Sequence, residues 1–156
     1  MNDLDVGDFC EFFRLVHGDE PFVWQQQLAA RALAGEWPEA VDVPTGMGKT
    51  AVIDIAVFCL AAQAERPPAE RTAPMRTFAV VDRRIIVDQT YQRARRLREE
   101  LMQPDRQDVV GEVAGRLLRL CAGTDRPEPL AVVRMRGGTT WDSAWLRSPA
   151  QPAVVC

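Results

Sequence analysis

The sequence predicts an α/β fold built on a parallel sheet, and three observations carry that prediction. Short apolar runs rich in valine alternate along the chain with longer segments of helical periodicity. Thr77-Phe78-Ala79-Val80-Val81 is apolar without alternation, the pattern of a strand buried on both faces of a parallel sheet. Ala40-Val41-Asp42-Val43 runs straight into a glycine-containing turn that opens a helix, as strand–loop–helix units do in such sheets.

Taken in order, Val6, Phe9, Cys10, Phe13 and Val16 recur at helical spacing, and His17-Gly18-Asp19-Glu20-Pro21 ends that helix. Gln25 to Leu33 predicts a second helix, stopped by Gly35 and Pro38. Ala40 to Val43 is a short strand, and Thr50 to Ala64 an apolar helix with no internal breaker, suited to packing on a sheet. Pro67, Pro68 and Pro74 mark Glu65 to Pro74 as a surface loop. After the strand at Thr77–Val81, helices follow over Ile85–Met102 and Val109–Cys121, then strands over Leu130–Val133 and Ala153–Val155. The predicted organisation is an N-terminal helical segment over residues 1–38 and an α/β unit over 39–156. A parallel strand needs a crossover, and none follows the apolar run that closes at Cys156. The expectation is therefore a portion of a longer protein.

Composition narrows the class further. With 47% hydrophobic and 26% charged residues, the 156-residue chain has the make-up of a globular domain with a real core. No apolar run is long enough to cross a bilayer, and the acidic start Met1-Asn2-Asp3-Leu4-Asp5 does not read as a signal peptide, so a cytoplasmic protein without a membrane partner is expected. Cys10, Cys59, Cys121 and Cys156 are scattered and there is a single histidine, which argues against zinc and for free thiols. The net charge of −3 does not advertise a polyanion partner. Arginines nevertheless cluster at Arg83, Arg84, Arg93, Arg95, Arg96 and Arg98, and again at Arg134 and Arg136. The Arg93–Arg98 group fits a solvated helix face paired with Glu99 and Glu100 equally well.

Of the 19 basic residues, every one but Lys49 is arginine. Lys49 lies in Val43-Pro44-Thr45-Gly46-Met47-Gly48-Lys49-Thr50, where a slim ammonium can fold over its own loop and reach the β- and γ-phosphates of a nucleotide. Loop N–H groups and the following helix N-terminus would face the same anion, and the Thr50 hydroxyl would ligate Mg²⁺. The strict phosphate-loop pattern wants glycine at position 43, where valine stands; the helicase form P-T-G-x-G-K-T fits from Pro44 to Thr50. The fold class thereby sharpens to a P-loop NTPase, specifically part of a RecA-like helicase lobe, with ATP and Mg²⁺ as expected cofactors. Upstream, Gln25 follows Trp24, and its amide has the donor and acceptor that read the adenine edge; surface glutamines on a helix are the alternative.

Downstream, Val80-Val81-Asp82-Arg83-Arg84 passes from strand end to helix, the place of helicase motif Ia, where an arginine pair suits nucleic-acid phosphates. A rival reading makes Asp82 the acid of a Walker B strand, but arginine rather than glutamate follows it. Arg134-Met135-Arg136-Gly137-Gly138-Thr139 offers paired glycines and arginines for close approach of a DNA backbone, or simply a hairpin-like turn.

Together, Pro21-Phe22-x-Trp24-Gln25, Val43-Pro44-Thr45-Gly46-x-Gly48-Lys49-Thr50, Val81-Asp82-Arg83-Arg84-x-x-Val87-Asp88-Gln89 and Arg136-Gly137-Gly138 resemble the CRISPR-associated helicase–nuclease of type I systems, nearest the type I-U (I-G) variant. The resemblance spans nearly the whole chain. It implies ATP-driven movement on single-stranded DNA, recruitment by a CRISPR surveillance complex, and a role in antiviral defence. By matching positions it implies adenine contact by Gln25, triphosphate and Mg²⁺ held by Thr45, Gly46, Met47, Gly48, Lys49 and Thr50, and a DNA path along Arg83, Arg84, Gly137 and Gly138. Nothing after Lys49 reads as D-E-x-H or D-E-x-D, and His17 alone cannot make an HD nuclease centre. Two other classes stay open: a self-contained small P-loop phosphotransferase using Asp82, and a non-catalytic fragment that binds nucleotide or DNA.

Overall fold

The computed structural model describes residues 3–81, 83–121, 123, 127–135 and 148–156. Five α-helices and three short strands form a mixed α/β arrangement: α1 (Val6–His17), α2 (Val23–Leu33), α3 (Val52–Ala62), β1 (Arg76–Phe78), α4 (Arg84–Leu101), α5 (Val109–Leu120), β2 (Ala131–Val133) and β3 (Ala153–Val155).

Local chemistry explains most helix ends. The Asp5 carboxylate accepts from the N–H groups of Gly7 and Asp8, and Asp8 returns the favour to the Asp5 N–H, which starts α1. Gly18, at φ +85°, closes it in the left-handed conformation that glycine adopts without strain. Helix α2 begins earlier than its apolar period, because Gln25 Oε1 accepts the Phe22 N–H at 2.8 Å and caps the first turn. Asp108 caps α5 through Val110 and Gly111, and a Cβ on Gly111 would collide with the Arg106 carbonyl.

Helix α3 is the centre of the molecule. Every residue from Ile53 to Ala61 is buried, and a tight 3-10 turn over Lys49–Ala51 leads into it. The Phe58 ring meets Phe9 edge-on at 5.5 Å and Phe12 at 5.4 Å. One apolar cluster extends from Leu4 to Cys156 and unites α1, α2, α3, α4, α5 and the inner face of the sheet.

The strands are all parallel, in the order β1-β3-β2, with Thr77 opposite Val154 and Val132 opposite Val154. The last strand in sequence thus sits between the other two. Val154 and Cys156 face the helices, while Ala131, Val133, Ala153 and Val155 make a small second cluster on the other face.

Two strand predictions are corrected. Ala40–Val43 is irregular chain that pairs with no described strand. The strand at Thr77–Val81 is shorter than its apolar run and is not buried on both faces: Phe78 is 55% exposed and Val80 89%. Both corrections share a cause. A strand exists only where a neighbour accepts its hydrogen bonds, and β1 pairs with β3 on one edge and with no described strand on the other. Among the described residues, no helix is long and apolar enough to cross a membrane.

Candidate functional site

The turn just before α3 is shaped by two glycines in the left-handed region, Gly46 at φ +86° and Gly48 at φ +71°. At Gly48 space is short as well: a Cβ there would stand 2.8 Å from Gln25 Nε2 and 3.4 Å from the Phe22 ring. The positive φ favours glycine at this position, and a Cβ would also make Gln25 give way.

Two side chains at the start of α2 brace the loop. Trp24 Nε1 donates to the Met47 carbonyl at 2.9 Å, and Gln25 Nε2 donates to the Gly48 carbonyl at 3.0 Å. Gln25 is 2% exposed, so it is a buried bracket rather than one of several surface glutamines. With those carbonyls turned toward α2, the N–H groups of Gly46, Gly48, Lys49 and Thr50 donate to no other described residue. Lys49 is exposed and forms no ion pair with a described residue, and Thr45 is exposed beside it. Idle backbone donors and an ammonium without an ion pair among the described residues fit an oxyanion such as a phosphate. The Thr50 hydroxyl, half-buried in the 3-10 turn, is the side chain there that could ligate a divalent cation.

A second basic surface lies at the start of α4. Arg83 is the residue before the helix and Arg84 its first; both are exposed, no described side chain caps the helix, and no acid stands in its first turn. Two guanidiniums beside the positive end of a helix dipole are an unfavourable pairing that an anion relieves. Exposed Val80, Val81 and Ile85 flank them. At the far end of β2, Arg134 stacks on Tyr91 at 5.1 Å and reaches Asp88 at 3.4 Å, tying that strand to α4. Asp82, Arg136, Gly137 and Gly138 lie outside the described residues, so the Walker B alternative and the glycine pair have no structural account here.

The arginine-rich stretch of α4 divides. Arg95 pairs with Glu99 on the surface, as a solvated face would, and Arg98 grips Glu128. Arg93 instead turns inward to Asp54, which is fully buried and also bonded to His17. This buried cluster escaped the sequence reading, in which His17 was only a helix-ending residue. Its one visible signal was Asp54 itself, a lone charge in an otherwise apolar helix.

Elsewhere the molecule offers less chemistry. A shallow notch between α1 and α5 is lined by Asp8, Glu11, Arg106, Asp108 and Glu112. Asp8 and Asp108 are spent on helix caps, while Arg106 chelates Asp108 and Glu112 holds Arg116. Burial pushes the Cys59 thiol up to about 12 and those of Cys121 and Cys156 to about 11, which suits packing rather than nucleophilic work. Among the described residues, no group of three or more His, Cys, Asp or Glu could hold a metal ion. No protein-family model, curated protein or solved structure matches this chain.

Proposed function

We propose that this chain is the nucleotide- and DNA-binding part of an ATP-dependent helicase motor with a RecA-like, P-loop NTPase lobe, of the kind that serves CRISPR interference. The observation that carries the proposal is the braced loop: Trp24 and Gln25 hold the Met47 and Gly48 carbonyls, leaving four N–H groups and the Lys49 ammonium for a triphosphate. Mg²⁺ would be held by Thr50, and it supplies charge neutralisation of the phosphates when bound. The resemblance assigns adenine contact to Gln25, whose buried amide here accepts from the Phe22 N–H and donates to the Gly48 carbonyl, so its part in this reading is to hold the loop. Single-stranded DNA is the assigned ligand of Arg83 and Arg84, where exposed guanidiniums and free helix amides meet phosphate oxygens. The reading gives the chain binding rather than turnover, since no D-E-x-H or D-E-x-D follows Lys49. Partnership with a CRISPR surveillance complex rests on the sequence resemblance alone.

Titration with a fluorescent ATP analogue and Mg²⁺ tests the proposal. Lys49→Ala should weaken binding at least tenfold while leaving the thermal midpoint unchanged, because Lys49 is exposed and makes no ion pair with a described residue. Equal affinity in the two proteins would remove the nucleotide assignment.

A further inference from the structure

The fully buried carboxylate of Asp54 stands in the first turn of α3, one turn beyond the phosphate loop. Its Oδ1 is 2.7 Å from His17 Nε2, at the end of α1, and its Oδ2 accepts from Arg93 Nε at 2.7 Å, in the middle of α4. One carboxylate therefore joins three helices. The His17 ring packs on Phe13 at 4.8 Å, and the Arg93 guanidinium lies 5.3 Å from the same ring, so both partners are clamped from one side.

The grip of Arg93 is incomplete. Guanidinium Nε and Nη2 point the same way and ordinarily take a carboxylate together. Arg106 spreads the two over both oxygens of Asp108, while Arg98 and Arg116 put both on one oxygen of Glu128 and Glu112. Arg93 uses Nε alone, and its Nη2 is buried with no hydrogen-bond partner among the described residues. In a fork like that of Arg106, Nη2 would take Oδ1, which His17 holds. A buried idle donor calls for a reason, and a second arrangement is open to these three groups. In the one seen, His17 holds Oδ1; were His17 to release it, Arg93 could take both oxygens.

We infer that His17, Asp54 and Arg93 form a two-position latch by which nucleotide at the phosphate loop adjusts the arginine-bearing end of α4. This rests on the nucleotide and DNA reading above. Both ends of the latch are well placed. The 3-10 turn over Lys49–Ala51 lies between the loop and Asp54, and such turns absorb small changes of helix register. Arg93 stands nine residues beyond Arg84 on one unbroken helix, about 14 Å along its axis. A shift of Asp54 is thus carried to Arg83 and Arg84 by a rigid element with two defined positions, which is what coupling between sites needs. His17, Asp54 and Arg93 are positioning residues in this account, since none lies at either ligand surface.

Opposite signs in two variants make the test. Affinity for a single-stranded oligothymidine is measured with and without a non-hydrolysable ATP analogue and Mg²⁺. In the native chain the nucleotide should change DNA affinity about tenfold, inside the usual range for coupled sites. His17→Phe frees Oδ1 for Arg93 and should fix DNA affinity at the nucleotide-bound value without any nucleotide. Arg93→Lys removes the fork and should fix it at the nucleotide-free value even when nucleotide is present. His17→Gln keeps a donor for Oδ1 and should retain the native ratio, which controls for loss of folding. A native ratio below about twofold with both ligands bound, or a change of the same sign in His17→Phe and Arg93→Lys, overturns the latch. Failure of the native chain to bind either ligand would overturn the functional reading itself.

Discussion

Phe58, in the helical layer, is fully buried with its ring against Phe9 and Phe12, whereas Val80, just past the end of β1, is 89% exposed. Both are large apolar residues in apolar runs, so hydrophobicity alone does not set their fates. The difference lies in who supplies the hydrogen bonds. Helix α3 satisfies its own backbone and needs only a surface to pack on, which α1, α2 and α5 provide. β1 depends on a neighbour along its whole length and has β3 on one edge and no described strand on the other. The helical layer thus packs on itself, and among the described residues the sheet is sparing: three strands of three residues each.

The largest effect that would break this comparison is at the centre of the helical layer. Phe58→Ala should cost about 3–5 kcal/mol, the usual range for removing a buried aromatic ring. Urea unfolding followed by circular dichroism measures it. A loss below about 1 kcal/mol would mean that the ring is not enclosed as described, since such small losses belong to surface positions.

The same contrast explains how much of the molecule was legible in its sequence. The five α-helices lie where apolar periodicity placed them, because spacing and caps such as Asp5 and Asp108 act within a few residues. The strand positions at Leu130–Val133 and Ala153–Val155 were legible too, but not their order, which puts the last between the others. Ala40–Val43 was misread because nothing local reveals whether a neighbour will be present. At the site, Gln25 and Gly48 were visible as separate motifs 23 residues apart, and only folding shows that one bonds the other. Asp54, His17 and Arg93 were harder still, being separated by 37 and 39 residues with no motif to join them.

A middle-sized effect tests the claim that local devices hold the helical layer. Asp108 accepts from two N–H groups at the start of α5 while the Arg106 guanidinium lies against it. Asp108→Ala should cost about 0.5–2 kcal/mol, as lost N-caps do. The Arg106 hydrogen bonds, with those from Gly111 and Val110, hold the Asp108 carboxyl below the usual carboxylate range. Its contribution is therefore fully present above the unfolded value of about 3.9 and is lost as pH falls through the lower folded value. The stability gap between the native protein and Asp108→Asn should stay flat from neutral pH to about 4 and close below it. A gap that closed between pH 7 and 5 would assign it to another group.

The smallest expected effect probes the other side of the comparison. Val80 is 89% and Ile85 66% exposed, and no part of the described core leans on either. Val80→Thr and Ile85→Gln should each fall within about 0.5 kcal/mol of the native stability, as substitutions on an open surface do. The argument turns on the reference state: a side chain already in water when folded has little burial to lose, so its change of polarity is felt almost equally in the unfolded chain. A loss above about 1 kcal/mol in either variant, repeated at tenfold lower protein concentration, would show that the chain itself covers this patch in solution. A loss that shrank on dilution would instead place a second copy against it, because only association depends on concentration.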